Sequence, residues 1–169
     1  MTTIRRLKKG ESELYRKLRL MSIADSPSAF ETTYEAISAR SPESWREQAD
    51  SSAEGNDRAT FLAFEGEEAI GISALYRVGT SEDVAELLQV WVAPGHRGTG
   101  VARALMDKVF AWAGKCGFRQ VVAKVTAGNE RALTFYRNYG FALAEESAEE
   151  SSGSRIISRP VPAGWAKTS

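Results

Sequence analysis

The residue types that most often carry metal or redox chemistry are scarce in this sequence, which has one cysteine and one histidine. A lone Cys116 excludes an internal disulfide, and Cys116 with His96 supplies too few ligands for a structural zinc site. We therefore expect no metal and a reduced, at least half-buried thiol at Cys116, near the end of a predicted helix. A reduced thiol at Cys116 fits a reducing compartment.

An excess of charge and a long apolar run are also missing. The 22 basic and 22 acidic side chains cancel, so nothing suggests a nucleic acid as the main partner. No apolar run approaches the roughly 18 residues of a membrane helix, and Arg5 and Lys8 are not followed by the apolar segment of a secretory signal. We expect one domain over residues 1–169, in the cytoplasm, that binds neither nucleic acid nor membrane.

The most informative stretch is a glycine-rich turn at residues 93–100. An apolar, strand-like run precedes the turn and an amphipathic helical pattern follows it. Glycines such as Gly98 and Gly100 let the backbone approach an anion closely, and the first N–H groups of a helix have no partner of their own. The helix dipole favours negative charge at the same end. The sequence therefore predicts a pyrophosphate-bearing ligand held by the main chain.

The residues of this turn fit one of three known phosphate-binding motifs. A P-loop requires Lys-Ser or Lys-Thr after the glycines, and neither pair is present. A dinucleotide fingerprint requires a small residue where Arg103 stands and an acidic residue about 20 positions later, where residues 118–120 are Phe, Arg and Gln. The pattern Arg/Gln-x-x-Gly-x-Gly/Ala fits residues 97–102. An ordinary glycine-rich turn remains the alternative.

A second motif, at residues 129–141, favours the phosphate-binding interpretation. The pattern Asn-x-x-Ala-x-x-Phe-Tyr-x-x-x-Gly-Phe is matched by Asn129, Ala132, Phe135, Tyr136, Gly140 and Phe141. Together the two motifs strongly resemble the GNAT superfamily of N-acetyltransferases over residues 87–141, while the N-terminal part is similar only in its order of elements. The resemblance implies acetyl-CoA as cosubstrate. The implied cofactor contacts are Val90, Trp91, Val92, Arg97, Gly98, Thr99, Gly100, Val101, Ala102, Asn129 and Tyr136.

The pattern of apolar residues predicts the element order β-α-α-β-β-β-α-β-α-β-β. That order indicates an α+β, GNAT-like fold with a mixed central sheet flanked by helices. We predict that the first helix, at residues 11–23, turns Leu14, Leu18 and Met21 inward. Ser41 is expected to cap a helix that begins at Pro42, and residues 26–40 are expected to form a loop. The last helix is expected to bury four residues: Ala132, Phe135, Tyr136 and Tyr139.

The resemblance also implies roles in acetyl transfer. Glu86, on the strand that enters the glycine turn, is the candidate general base, and Tyr136 is the candidate general acid near the coenzyme sulfur. A backbone N–H near Val90 is the candidate oxyanion donor. Each has a structural alternative: a solvent-facing Glu86, core packing for Tyr136 and Val90, and a plain helix cap for Asn129. Arg97 and Arg103 are candidate phosphate contacts, with a solvated helix face as the alternative for Arg103.

The predicted function is transfer of an acetyl group from acetyl-CoA to a primary amine of a small molecule or protein, by direct attack in a ternary complex. The alternative is a non-catalytic acyl-CoA-binding sensor or interaction module. Protein α-amines, lysine, polyamines and aminoglycosides all remain open as acceptors. An acidic rim would favour a cationic amine, although these carboxylates are equally consistent with scattered exposed charges: Glu82, Asp83, Glu86, Glu145, Glu146, Glu149 and Glu150. A homodimer is expected from the resemblance alone.

Overall fold

The computed structural model describes residues 1–30, 32–143 and 154–162. Within those residues seven strands and five α-helices follow one another along the chain, with 3₁₀ turns at Pro27–Ala29 and Pro94–His96. The elements, in chain order, are β1 (Thr2–Arg6), α1 (Ser12–Asp25), α2 (Tyr34–Ser38), α3 (Pro42–Ser51), β2 (Arg58–Glu65), β3 (Glu68–Arg77), β4 (Val84–Val92), α4 (Val101–Lys115), β5 (Gln120–Val125), α5 (Glu130–Asn138), β6 (Ala142–Leu143) and β7 (Arg155–Pro160).

The seven strands form one mixed sheet in the order β1-β2-β3-β4-β5-β7-β6. Neighbouring strands pair antiparallel at every described junction except β4 and β5, which pair in parallel. The crossover between these two strands is α4, as a parallel pair requires. This architecture confirms the predicted α+β class with a mixed central sheet.

Each face of the sheet carries its own apolar core. On one face α4 buries Leu105 and Phe110 together with Leu133 from α5, and the apolar stripe predicted for α4 is confirmed. On the other face Tyr15 and Leu18 of α1 pack with Trp45 of α3. No helix in the described part of the chain is both long and apolar enough to cross a membrane.

Strand β4 contains a bulge that changes the direction of its later side chains. Leu88 pairs with Ala74 of β3 and Trp91 pairs with Ile72, so Gln89 and Val90 together lie opposite a single β3 residue. Gln89 has a left-handed backbone, with φ of 61°. Its side-chain oxygen accepts a hydrogen bond from the Tyr15 hydroxyl at 2.9 Å. A bulge of this kind bends a strand and re-aims its side chains.

The ladder between β4 and β5 stops shortly before this bulge. Its last pair is Leu87 with Ala123, although β4 continues to Val92 and β5 to Val125. The two strands therefore diverge, and the β5-facing edge of residues 88–92 has no neighbouring strand among the described residues. This divergence opens the sheet at its centre.

Local signals located most helix ends correctly. The Ser41 hydroxyl accepts a hydrogen bond from the Ser44 N–H at 3.1 Å, and Pro42 is the first helical residue, as predicted. The predicted loop at residues 26–40 was wrong in part, because it contains α2, which Thr33 caps by accepting from the Ala36 N–H. The apolar pattern also predicts a strand at residues 141–144; β6 covers two of them, and residue 144 lies outside the described residues.

Two predicted helix faces were wrong in part, although Leu18 and Tyr139 are buried as predicted. Helix α1 buries Tyr15, Leu18, Arg19, Ser22 and Ile23, whereas Met21 is exposed and Leu14 is half-buried. Helix α5 buries Leu133, a residue outside the predicted stripe. Of the predicted set Tyr139 is buried, and the other three are half-buried because each packs against the core and also lines the turn-side cavity: Ala132, Phe135 and Tyr136.

The bulge generates a test of local stability. Tyr15→Phe removes the hydroxyl that donates to Gln89 and keeps the ring in the core, so we expect the free energy of unfolding to fall by about 1 kcal/mol. Amide hydrogen exchange at Gln89 and Val90 should accelerate. Thr60→Val is the matched control, since it deletes the bond from a buried Thr60 hydroxyl to Ser52. Equal exchange at Val90 in both variants would show that Tyr15 does not hold the bulge.

Candidate active site

Two adjoining cavities lie where β4 and β5 diverge. The turn-side cavity, about 480 Å³, is lined by the glycine turn, the end of β4, the first turn of α4 and one face of α5. The strand-side cavity, about 250 Å³, is lined by the middle of β4, the end of β5 and residues of α1 and the segment after it. The lining residues common to both are Ala29, Phe30, Val90, Asn129, Ala132 and Tyr136.

The glycine turn leaves the start of α4 open toward the turn-side cavity. Gly98 and Gly100 have positive φ angles of 76° and 89°, which glycine adopts without steric cost. Gly100 occupies the N-cap position and supplies no side-chain acceptor for the first turn. A methyl group built on Gly100 would meet no described atom within 4 Å. The helix therefore presents N–H groups to an unobstructed space, and the predicted contacts Val101 and Ala102 begin that helix.

A single carboxylate oxygen fixes the turn to α1. Oδ2 of Asp25 accepts hydrogen bonds from the Trp91 indole N–H at 2.9 Å and the Ser26 hydroxyl at 2.7 Å, and it also pairs with the Arg97 guanidinium. These donors, the indole most strongly, lower the pKa of Asp25 to about 2. Arg97 also donates from Nε to the Val92 carbonyl at 2.9 Å. The predicted phosphate contact Arg97 is thus already engaged in holding the turn.

Helix α5 brings Asn129 and Tyr136 to the junction of the cavities. The Asn129 side chain accepts from the Ala132 N–H at 3.2 Å, so the helix-cap interpretation is correct, and the residue also lines both cavities. The Tyr136 ring packs edge-on against Phe141, with centroids 5.5 Å apart. Burial raises the pKa of the Tyr136 phenol, so its hydroxyl stays protonated at neutral pH and can donate a hydrogen bond.

The strand-side cavity has mixed charge. Glu86, half-buried on β4, lines it together with Arg19 of α1 and Lys124 of β5. The uncharged polar residues of the lining include Thr32, Gln89, Thr126 and Asn129. Among the described residues the wall thus holds one carboxylate and two cationic groups, which does not support the acidic rim that the sequence left open as one alternative.

Two other acidic residues considered for that rim lie away from the strand-side cavity. Glu82 and Asp83 are exposed in the loop before β4, where Asp83 pairs with Arg119 at 3.8 Å. Glu145, Glu146, Glu149 and Glu150 lie outside the described residues. In the described part of the chain, Glu86 is the one predicted rim carboxylate that reaches the strand-side cavity.

The remaining residues singled out in the sequence have simple surroundings. His96 and Arg103 line the turn-side cavity, and the Arg103 guanidinium also lies 5.3 Å from the centre of the Tyr139 ring. Thr99 donates its hydroxyl to the His96 carbonyl within the turn. Cys116 is a half-buried free thiol whose pKa is raised by burial, as expected of a structural cysteine.

Several residues of the site were not assigned to it from the sequence, and three of them fix its geometry or charge. Asp25 and Gln89 act through partners distant in the chain, so no local pattern identifies them. Arg19 did leave a signal. It lies four residues after Tyr15 and one after Leu18, on the buried face of α1, where a charged side chain breaks the apolar stripe.

Comparison with known proteins identifies the family. The family model described as "Acetyltransferase (GNAT) family" matches residues 23–141. This range includes β4, β5, α4 and α5, which line the two cavities. The chain belongs to the GNAT acetyltransferase family.

The GNAT assignment agrees with individual relatives. An uncharacterized N-acetyltransferase of Mycobacterium bovis is 40% identical over 86 residues, covering 51% of this chain and 54% of the relative. Streptothricin acetyltransferase of Streptomyces lavendulae is 34% identical over 125 residues, covering 65% and 63%. The match thus spans about half the length of the mycobacterial relative.

Solved structures share the fold at low identity. A GNAT-family acetyltransferase of Streptococcus pneumoniae superposes with a TM-score of 0.78 at 16% identity, covering 96% of this chain and all of that one. The PaiA N-acetyltransferase of Thermoplasma acidophilum, solved in complex with coenzyme A, gives 0.72 at 18% identity, covering 95% and 99%. At these identities the likeness establishes the GNAT fold.

The Asp25 cluster predicts a pH-dependent stability. A carboxyl whose pKa is lowered on folding stabilises the protein above its ordinary pKa, near 4, and loses that contribution as the pH falls to about 2. Asp25→Asn should therefore lower the free energy of unfolding by about 1 kcal/mol at pH 7, a figure reduced for partial solvent access. The difference from wild type should shrink between pH 4 and pH 2.

Asp57→Asn is the control for that measurement. Asp57 also pairs with an arginine, Arg77, but its side chain is 81% exposed, so we expect almost no change in stability at either pH. Urea unfolding at several pH values measures both variants. A constant difference between wild type and Asp25→Asn down to pH 2 would contradict the charge-based explanation.

Proposed function

We propose that this GNAT-family chain, with residues 1–169 acting as one domain, transfers an acetyl group from acetyl-CoA to a primary amine by direct attack in a ternary complex. The observation that carries the proposal is the shared wall of the two cavities. Val90 and Tyr136 line both cavities. Two molecules, one bound in each cavity, would therefore meet beside these two residues. Holding two reactants in one orientation accounts for a large part of enzymatic rate enhancement.

The turn-side cavity suits the pyrophosphate and pantetheine parts of acetyl-CoA. The uncapped start of α4 offers N–H groups and the positive end of the helix dipole, and the space above Gly100 is open. The β5-facing edge of β4 at residues 88–92 can pair with the amides of an extended arm as an added strand would. Asn129 and Ala132 border the same path.

Acetyl-CoA supplies an acyl group activated as a thioester, and the residues around the junction supply the rest. An amine is protonated at neutral pH and must lose a proton before its nitrogen can form the new C–N bond. The carboxylate of Glu86 lines the strand-side cavity and can accept that proton, directly or through water. A backbone N–H at the bulge, near Val90, is the group suited to stabilise negative charge on the acyl oxygen.

Tyr136 is suited to the departing sulfur. When the C–S bond breaks, the thiolate must be stabilised or protonated. Because burial raises the pKa of the Tyr136 phenol further above that of a thiol, near 8.5, full proton transfer from Tyr136 to sulfur is unfavourable. We infer that the hydroxyl acts by donating a hydrogen bond, while the proton itself reaches sulfur from solvent or from the attacking nitrogen, which loses it as the amide forms.

Gly100→Ala tests coenzyme binding. The new methyl group enters the space that the pyrophosphate would occupy, so we expect acetyl-CoA affinity in calorimetry to fall about tenfold to a hundredfold, the loss expected when hydrogen bonds to a charged group are broken. Gly117→Ala is a matched control. Gly117 also has a positive φ, 82°, and an unobstructed methyl position, but it lies at the opposite end of α4. Both variants should lose about 1 kcal/mol of stability; equal acetyl-CoA affinity would argue against the turn as the binding site.

Glu86→Gln and Tyr136→Phe test the chemistry, using release of free thiol over a panel of amines. If Glu86 accepts the proton, Glu86→Gln should lower kcat by about 10² to 10⁴, remove the acidic limb of the pH–rate profile, and leave acetyl-CoA affinity unchanged. Tyr136→Phe should lower kcat with a smaller effect on affinity. Glu82→Gln, at an exposed carboxylate four residues earlier, should match wild type.

The same assay separates catalysis from simple binding. Acetyl-CoA binding in calorimetry without thiol release for any amine would indicate a non-catalytic acyl-CoA-binding module. A rise in acceptor KM with unchanged kcat in Glu86→Gln would instead assign Glu86 to attraction of a cationic acceptor.

A further inference from the structure

Arg19 has no apparent structural role that matches its burial. The residue is 7% exposed, and its Nε and Nη1 atoms lie out of contact with solvent without a hydrogen-bond partner among the described residues. Its guanidinium lies 5.9 Å from the centre of the Phe30 ring, which restrains it without satisfying its donors. Buried donors without partners cost free energy that folding does not recover, and a bound ligand that accepts hydrogen bonds from this guanidinium would recover part of that cost.

The position of Arg19 indicates where that group binds. Arg19 lines the strand-side cavity, the compartment that the proposed function assigns to the acceptor. Across the same cavity the Thr126 hydroxyl oxygen is also buried without a partner. Two separate elements, α1 and the end of β5, therefore each contribute a residue with unsatisfied polar atoms to the lining of one small space.

The chemistry of these atoms selects an anionic group. The planar guanidinium presents its N–H donors in a fork that matches the two oxygens of a carboxylate. Lys124, on the same lining, adds a second positive charge. The lining carboxylate, Glu86, is the proposed receptor for the amine. A short ligand that carries both an ammonium and a carboxylate can pair with the acidic and with the basic groups of this lining.

We propose, resting on the acetyltransferase function above, that the acceptor is a small amino acid whose carboxylate is bound by Arg19. The cavity of about 250 Å³ lies below the usual range for drug-sized ligands, roughly 300–1,000 Å³, and so favours a free amino acid over a long polyamine or an aminoglycoside. A polycation would also place positive charge beside Arg19 and Lys124, where like charges repel.

The test compares three versions of each acceptor. The proteinogenic L-amino acids with a primary amine are assayed beside their carboxamides and the amines left after removal of the carboxyl group. For at least one amino acid we expect kcat/KM to be about tenfold to a hundredfold higher than for its carboxamide and its decarboxylated amine. That difference is the contribution expected from hydrogen bonds to a charged group. Equal rates for all three versions of every acceptor would overturn the proposal and leave the acetyltransferase function intact.

Variants of Arg19 locate the effect. Arg19→Met should raise KM for the preferred amino acid by about tenfold to a hundredfold, with little change in kcat, in the KM of its decarboxylated analogue, or in acetyl-CoA affinity. Arg19→Lys keeps the positive charge and loses the planar pair of N–H donors. Its KM for the preferred amino acid should lie between those of wild type and Arg19→Met. Arg16→Met, at an exposed arginine on the same helix, is the control and should match wild type.

Two further measurements keep the proposal testable if catalysis or folding fails. Replacing an unpaired buried charge by an apolar chain should leave the unfolding temperature of Arg19→Met unchanged or raised. If Arg19 instead supports the fold, the unfolding temperature will fall and the KM of every acceptor will change together. If no amine is acetylated, binding can still be measured by titrating the same amino acids into the protein saturated with coenzyme A. Arg19→Met should abolish that binding. Absence of binding to the wild-type protein would contradict the proposal.

Discussion

The left-handed backbone of Gln89 lies in the middle of β4, and the Tyr15 hydroxyl holds the Gln89 side chain on the α1 side of the sheet. A non-glycine residue with positive φ is strained, and such a backbone conformation persists only where several surrounding contacts hold it in place. Here the bulge lets β4 turn away from β5 after the Leu87–Ala123 pair. An uninterrupted ladder would close the sheet, and neither cavity would have an opening between the two strands.

Helix α1 connects three parts of the site that are far apart in the chain. Tyr15 contacts the bulge, Arg19 lies one turn later on the same face and reaches the strand-side cavity, and Asp25 at the end of the helix holds the Arg97 side chain. Residues i and i+4 share a helix face, so one rigid element sets the spacing between the bulge and the guanidinium. The position of the glycine turn relative to both follows from the Asp25 contact.

The parts of the fold that could be predicted depend on local chemistry. The Ser41 and Asn129 caps, the apolar stripe of α4 and the order of the strands follow from residues close together in sequence, and the structure confirms them. The wrong predictions concern whether an apolar helix face packs into the core or lines a cavity. The stripe of α5 was assigned to the core because a half-buried aromatic wall of a cavity has the same spacing as a core face. The bulge at Gln89 and the pairing of Asp25 with Arg97 depend on tertiary contacts, which no periodicity encodes.

Two described residues of the strand-side cavity depart from local rules for a stable fold. Gln89 has a strained backbone within a strand, and Arg19 places a charge on a helix face that otherwise packs into the core. Each departure taken alone lowers stability. Departures of this kind are expected where a binding site needs preformed geometry and polar atoms held away from water. Because a guanidinium already buried and restrained against Phe30 needs little further ordering when a carboxylate binds, its cost falls on folding rather than on binding.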